Sequence, residues 1–94
     1  NVQMVNAFIL INIEEKNVRE ITNNLLEVEG VTEVYPIAGE YDILAVVRVI
    51  DNPTLANIII EEIIHKPGVR HTKTLFALDS YAKVDLEEVF KLKS

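Results

Sequence analysis

The chain has no cysteine among its 94 residues, so disulfide bonds and thiolate metal sites are excluded. Basic residues are also few: nine Lys and Arg stand against 15 Asp and Glu, and the net charge is −6. Nucleic-acid-binding domains usually present a clustered basic face, so direct binding of DNA or RNA is not expected. No apolar run approaches the roughly 20 residues of a membrane span, and no signal peptide is visible. The expected location is therefore the cytoplasm.

What the sequence has in abundance is aliphatic side chains, because 49% of its residues are hydrophobic and most of these are Ile, Val or Leu. Its length predicts one small domain over residues 1–94, with a core at 5–78 and a tail at 79–94. A chain of this size buries only about two-thirds of its unfolded surface. The apolar content exceeds what such a domain buries comfortably, which predicts an oligomer.

Apolar periodicity predicts the element order βαββαβ. Strands are expected at residues 4–13, 31–38, 41–50 and 69–78. The first helix is expected at 17–29, with Asn17 and Glu20 in capping-box positions and Gly30 as the stop. The second begins at Asp51-Asn52-Pro53 and ends at Lys66-Pro67-Gly68, and Asp85 is expected to cap a short helix over 86–91. The predicted apolar stripes are Val18, Ile21, Leu25, Leu26 and Val28 on the first helix, and Leu55, Ile58, Ile59, Ile63 and Ile64 on the second.

This order predicts an α+β, ferredoxin-like fold with an antiparallel sheet in the order 4-1-3-2 and both helices on one face. Pro36 cannot donate to a ladder, so its strand should lie at a sheet edge. The other sheet face would carry Phe8, Leu10, Leu44 and Val46. Such an apolar surface predicts two copies packed sheet to sheet around a two-fold axis.

The most informative stretch is the predicted hairpin between the second and third strands. Gly39-Glu40, with Gly first, suits a two-residue type II′ turn. Such a turn would bring together two carboxylates, Glu40 and Asp42, and two phenols, Tyr35 and Tyr41. A turn needs only the glycine, so this polar cluster is the best candidate for a binding site.

Several segments together resemble the ligand-binding (RAM) domain of the Lrp/AsnC transcription regulators. The resemblance covers residues 5–78, and residues 81–90 resemble the tails of stand-alone RAM proteins. The segment before Val5 is too short for the helix-turn-helix of full regulators, so a stand-alone module is expected. The matching motifs are Ala7-Phe8-Ile9-Leu10-Ile11, Gly30-Val31-Thr32-Glu33-Val34-Tyr35, Gly39-Glu40-Tyr41-Asp42-Ile43, Lys66-Pro67-Gly68-Val69 and Thr72-Lys73-Thr74.

The resemblance implies a dimeric α+β barrel, further assembly of dimers into rings, and an amino-acid effector bound where the turn meets a neighbouring dimer. Asp42, and less directly Glu40, would bind the ammonium, and the N–H groups around Gly39 would bind the ligand carboxylate. The ligand-binding positions that it implies are Tyr35, Gly39, Tyr41, Asp42, Thr72 and Thr74, and the charge of Glu40 adds that residue to the predicted site. We expect no catalytic residue, metal or cofactor.

Other interpretations of these residues remain open. A turn needs Gly39 whether or not a ligand binds, and Asp42 can form hydrogen bonds with turn amides instead of a ligand. Threonine is a common residue of strands, so Thr72 and Thr74 need no ligand to explain them. One alternative function is a ligand-independent assembly module that co-assembles with full-length Lrp/AsnC regulators. Another is a small oxygenase, since some share the barrel. That alternative requires a cavity lined by His65, His71 or Asp42, and neither histidine has metal-ligand or catalytic spacing.

Overall fold

The computed structural model describes residues 4–14 and 17–83. The predicted helix over 86–91 lies outside these residues. The second helix changes at Ile58 from α-helical to π-helical hydrogen bonding, and we call its second half the π-segment. The elements are β1 (Val5–Ile13), α1 (Val18–Leu26), β2 (Val31–Pro36), β3 (Ile43–Val49), α2 (Asn52–Asn57), the π-segment (Ile58–Ile64) and β4 (Val69–Phe76).

The four strands form one antiparallel sheet in the order β2-β3-β1-β4. This is the predicted 4-1-3-2 order, and the ferredoxin-like α+β fold is confirmed. Pro36 is the last residue of β2, which lies at an edge as expected, and it pairs with Ile43. β3 is central and largely buried.

The core lies between the helices and one face of the sheet. Alternate residues of β1 and β3 point toward the helices, which is the period-two pattern of a strand with one covered face. The fully buried larger side chains are Ile9, Ile11, Leu25, Ile43, Val47, Leu55 and Ile63.

Both helices begin at the predicted caps. The Glu20 N–H donates to Asn17 Oδ1 at 3.3 Å, and the Thr54 N–H donates to Asp51 Oδ1 at 2.8 Å. α1 ends at Leu26 rather than at Glu29. The predicted place of Leu26 in the apolar stripe is wrong, because it is 48% exposed. Consecutive helical residues lie about 100° apart, so Leu26 falls outside the stripe when Leu25 occupies its centre.

The π-segment explains which isoleucines of the second helix are buried. In an α-helix the residue four after Ile58 is Glu62, which would place a carboxylate toward the core. The five-residue spacing of a π-helix aligns Ile58 with Ile63 instead, and both are buried. The expectation that Ile64 belongs to the core stripe is wrong, since it is 45% exposed.

The sheet face away from the helices, here called the open face, has an apolar centre as predicted. Phe8 lies opposite Val46 on β3 and opposite Leu75 on β4, and Leu10 lies opposite Leu44. Val46 is 5% exposed although it lies outside the core cluster on the helix side, so its neighbours on the open face cover it. Phe8 is 37% and Leu75 is 44% exposed. No helix among the described residues is long and apolar enough to cross a membrane.

Candidate functional site

The β2–β3 link is longer than the predicted two-residue turn. It spans residues 37–42 and is closed by a bond from the Ile37 N–H to the Asp42 carbonyl at 2.9 Å. Gly39 has a φ of 155°, whereas the first central residue of a type II′ turn has a φ near +60°. The prediction of a type II′ turn over Gly39-Glu40 is therefore wrong. The Asp42 N–H donates to the Ile11 carbonyl at 3.0 Å. Asp42 is therefore hydrogen-bonded to β1 and is not part of a tight turn.

Asp42 has a structural role at the end of β1. Its Oδ2 accepts a hydrogen bond from the Ile13 N–H at 2.9 Å, and its side chain is half-buried. β1 is irregular there, with a register shift between Asn12 and Ile13. Among the described residues, Asp42 Oδ1 has no hydrogen-bond partner. The carboxylate therefore ties the link to β1 with one oxygen and retains the other as an acceptor.

Tyr35 lies on the open face, opposite Leu44, at the β2 edge. Its hydroxyl donates to the Glu33 carboxylate, and this hydrogen bond, with the negative charge of Glu33, raises the pKa of Tyr35. Glu33 was missed in the sequence, although residues two apart on a strand share a face, so strand alternation alone places it beside Tyr35.

The remaining link residues differ in exposure. Gly39 and Glu40 are exposed, whereas Tyr41 is half-buried. A Cβ placed on Gly39 would meet no atom within 4 Å, so there is open space beside its Cα. The link thus contains two carboxylates, Glu40 and Asp42, and an exposed backbone at Gly39-Glu40. Groups of these kinds bind the ammonium and the carboxylate of a ligand that carries both charges.

Thr72 and Thr74 lie apart from this loop. They pair with Ile11 and Ile9, so they are half-buried on the helix side of the β4 edge. β2 and β4 are separated by three strand spacings, or about 14 Å. Asp42 lies closer to β4, because it bonds to Ile11 and Ile13 of β1, the strand next to β4. Within one chain the predicted site residues fall into two groups, and Tyr35 of the first lies on the face and edge opposite to the threonines of the second. The loop group is Tyr35, Gly39, Glu40, Tyr41 and Asp42, and the strand group is Thr72 and Thr74.

The histidines do not form a catalytic arrangement. His65 is exposed at the end of the π-segment, and His71 is exposed on β4 opposite Asn12. Neither they nor Asp42 line either of the two large clefts on the helix side, of about 800 and 780 Å³. Across residues 4–14 and 17–83, no group of three or more His, Asp or Glu could hold a metal ion.

Comparison with known proteins gives a consistent family assignment. The family described as the Lrp/AsnC ligand binding domain matches residues 6–85. The HTH-type transcriptional regulator FL11 of Pyrococcus abyssi is 33% identical over 75 residues, covering 80% of this chain and 49% of FL11. The chain thus spans about half the length of the curated relatives that it matches.

Solved structures give the same fold. The structure of E. coli AsnC superposes with a TM-score of 0.79 at 26% identity, covering 86% of this chain and 55% of AsnC. A complex of the regulator NMB0573 from Neisseria meningitidis with L-Met has a TM-score of 0.71 at 19% identity, covering 90% of this chain and 58% of NMB0573. The second likeness is evidence for the fold alone.

Proposed function

Because the chain belongs to the Lrp/AsnC family through its ligand-binding domain, we propose that it is a sensor module that binds an amino acid between copies of itself. Its homologues are transcription regulators, and a protein of the same fold forms a complex with L-Met. The module has no catalytic role in this proposal. It acts by changing its assembly, or its partner, when the ligand binds one state better than another.

The chemistry of the loop group supports an amino-acid ligand. The ligand ammonium bonds to the Asp42 carboxylate, through the oxygen that Ile13 does not use. The ligand carboxylate accepts hydrogen bonds from the backbone N–H groups around Gly39 and Glu40. Both sets are charge-assisted, and such bonds are roughly twice as strong as neutral ones.

The observation that carries this proposal is the separation of the loop group from the strand group. A free amino acid is only a few ångströms long, whereas about 14 Å of sheet separates Tyr35 from the threonines, which lie on the opposite face. Asp42 is separated from the threonines by β1. In the proposed site, Thr72 and Thr74 come from a neighbouring copy. A bound ligand then contacts two copies at once, so ligand binding favours the assembled state.

The open face supports the first step of that assembly. Phe8, Leu44 and Leu75 form an apolar surface on a sheet whose other face is already covered by helices. Two such faces packed around a two-fold axis remove this surface from water. We propose that this homodimer is the unit from which the higher oligomer is built.

The test is calorimetry of the chain against all twenty amino acids, with native mass spectrometry of the assembly. Asp42→Asn removes the charge but keeps an oxygen that can accept from the Ile13 N–H. It should weaken binding at least about tenfold, since a hydrogen bond to a charged group contributes about 1.5–3 kcal/mol. Asp79→Asn makes the same charge change outside the site and should leave affinity unchanged. The absence of heat and of any change in assembly for all twenty would refute the proposal.

A second candidate function is co-assembly with full-length regulators of the family without a ligand. It rests on the domain that this chain shares with such regulators, because two copies of the same domain can pair with each other. A pull-down that recovers such a regulator equally well with and without amino acids would support this candidate. Recovery that responds to one amino acid would support the sensor instead.

A further inference from the structure

An apolar groove lies on the helix side of the β4 edge, far from the open face. It has a volume of about 780 Å³ and runs between the end of β4 and the second helix. Ile60 on one wall is 51% exposed, and Phe76 and Leu78 on the other are 58% and 100% exposed. The other apolar lining residues are Met4, Val5, Leu55, Ala56, Ile59 and Ala77.

The groove is distinct from the surface proposed for the dimer. Phe76 pairs with Ala7, which is buried on the helix side, so Phe76 also points toward the helices. Packing two sheets through their open faces therefore leaves the groove uncovered. Side chains as large as Phe76 and Leu78, exposed together, indicate a surface that binds something.

The chain itself provides an apolar segment close to the groove. After β4 it continues through Ala77 and Leu78, which line the groove, to Lys83, where the described residues end. Eleven further residues of the tail, 84–94, follow in the sequence. Leu86, Val89 and Phe90 have the i, i+3, i+4 spacing of one apolar helical stripe.

We propose that the groove is the docking site for the tail of the same chain. Lys83 follows Leu78 of the groove by five positions, so the two are at most about 18 Å apart. A link this short gives the tail a local concentration in the millimolar range, so it competes well against tails of other copies. The stripe of Leu86, Val89 and Phe90 then covers the apolar walls formed by Ile60 and Phe76.

The experiment uses a tryptophan reporter in the full chain, which contains no tryptophan of its own. In Phe90→Trp, docking should give blue-shifted emission and protection from iodide quenching. Adding Ala56→Arg places a long charged side chain on the groove wall, at an exposed helical position. It should shift the emission to that of tryptophan in water. Asn23→Arg adds the same side chain on the exposed surface of α1 and should leave the emission unchanged.

A second groove variant controls for the possibility that Ala56→Arg acts by local misfolding. Ile60→Lys changes a half-exposed residue of the π-segment and should release the reporter as Ala56→Arg does, with an unchanged far-ultraviolet circular dichroism spectrum. Emission typical of water in the Phe90→Trp chain would overturn the proposal. So would emission that neither groove variant alters, because the tail would then be buried elsewhere.

Mixing distinguishes the chain's own tail from that of a neighbour. The Phe90→Trp chain, with its groove intact, is mixed with an excess of Ala56→Arg chain that lacks tryptophan, and the subunits are allowed to exchange. If each tail occupies its own groove, the emission does not change. A shift toward the emission in water would show that the groove is filled by a neighbouring copy, and the proposal would be wrong.

Discussion

Single side chains at the ends of elements have clear roles in this molecule. Asp51 caps the second helix, and Asp42 holds the β2–β3 link against β1 with one oxygen. Gly30 has a φ of 98°, and a Cβ there would lie 2.9 Å from both the Ile58 and the Val49 side chains. A side chain at this position would therefore conflict with both the backbone conformation and the core.

Asp51 should make stability depend on pH in the acid range. Hydrogen bonds from Thr54, first from its hydroxyl and then from its backbone N–H, lower the pKa of Asp51 below its usual 3.8. The stabilisation from the ionised cap is complete above that value and is lost as the pH falls through the lower, folded-state pKa. Asp51→Asn keeps a good cap without titrating. Urea unfolding should show that the wild-type chain loses more stability than the variant below about pH 4. Parallel pH profiles for the two chains would contradict this.

The elements show what sequence patterns could and could not predict. The strand order, the edge position of Pro36 and both helix caps were predictable, because each depends on local chemistry or on βαββαβ connectivity. The exposure of Ile64 was not predictable, because the seven consecutive Ile and Glu residues at 58–64 give isoleucine pairs at both α and π spacing. Only packing against the sheet decides which isoleucine is buried.

The π-segment gives a matched pair of substitutions. Ile63 is fully buried whereas its neighbour Ile64 is 45% exposed. Ile63→Ala should reduce the free energy of unfolding by about 2–5 kcal/mol, since it leaves a cavity. Ile64→Ala should cost less than about 1 kcal/mol. Denaturant unfolding of both variants measures the difference, and equal losses would mean that the helix buries another face.

The candidate site was less predictable than the fold. The sequence identifies Asp42 as polar and near a glycine, but the bond from the Ile13 N–H to its carboxylate joins residues 29 positions apart. The prediction of a two-residue turn was wrong for the same reason. Asp42 bonds to β1, which is distant in the sequence and is not part of any local pattern around the turn. The separation of Tyr35 from Thr72 likewise follows from the order of strands in the sheet.

At the scale of the whole molecule, the two sheet faces differ in what covers them. The helices cover one face, and the proposed second copy covers Phe8, Leu44 and Leu75 on the other. In this arrangement the apolar content that exceeded the capacity of one small domain is divided between a core and an interface.

Phe8→Glu should prevent dimerisation, because it would bury two unpaired carboxylates near the centre of the interface. Sedimentation velocity should then give a monomer over concentrations at which the wild-type chain is associated. Asn23→Glu adds the same charge on the exposed surface of α1 and should leave the sedimentation coefficient unchanged. A wild-type chain that sediments as a monomer throughout would rule out the open face as an interface.

The length of the β2–β3 link has a consequence for how such proteins diversify. Its closure depends on one backbone bond, from Ile37 to Asp42, and not on the side chains of the four residues between them. Lengthening a flexible loop costs little free energy, since doubling it adds only about 0.6 kcal/mol. Substitutions or insertions at residues 38–41 would therefore change the proposed binding site while the sheet beneath stays intact.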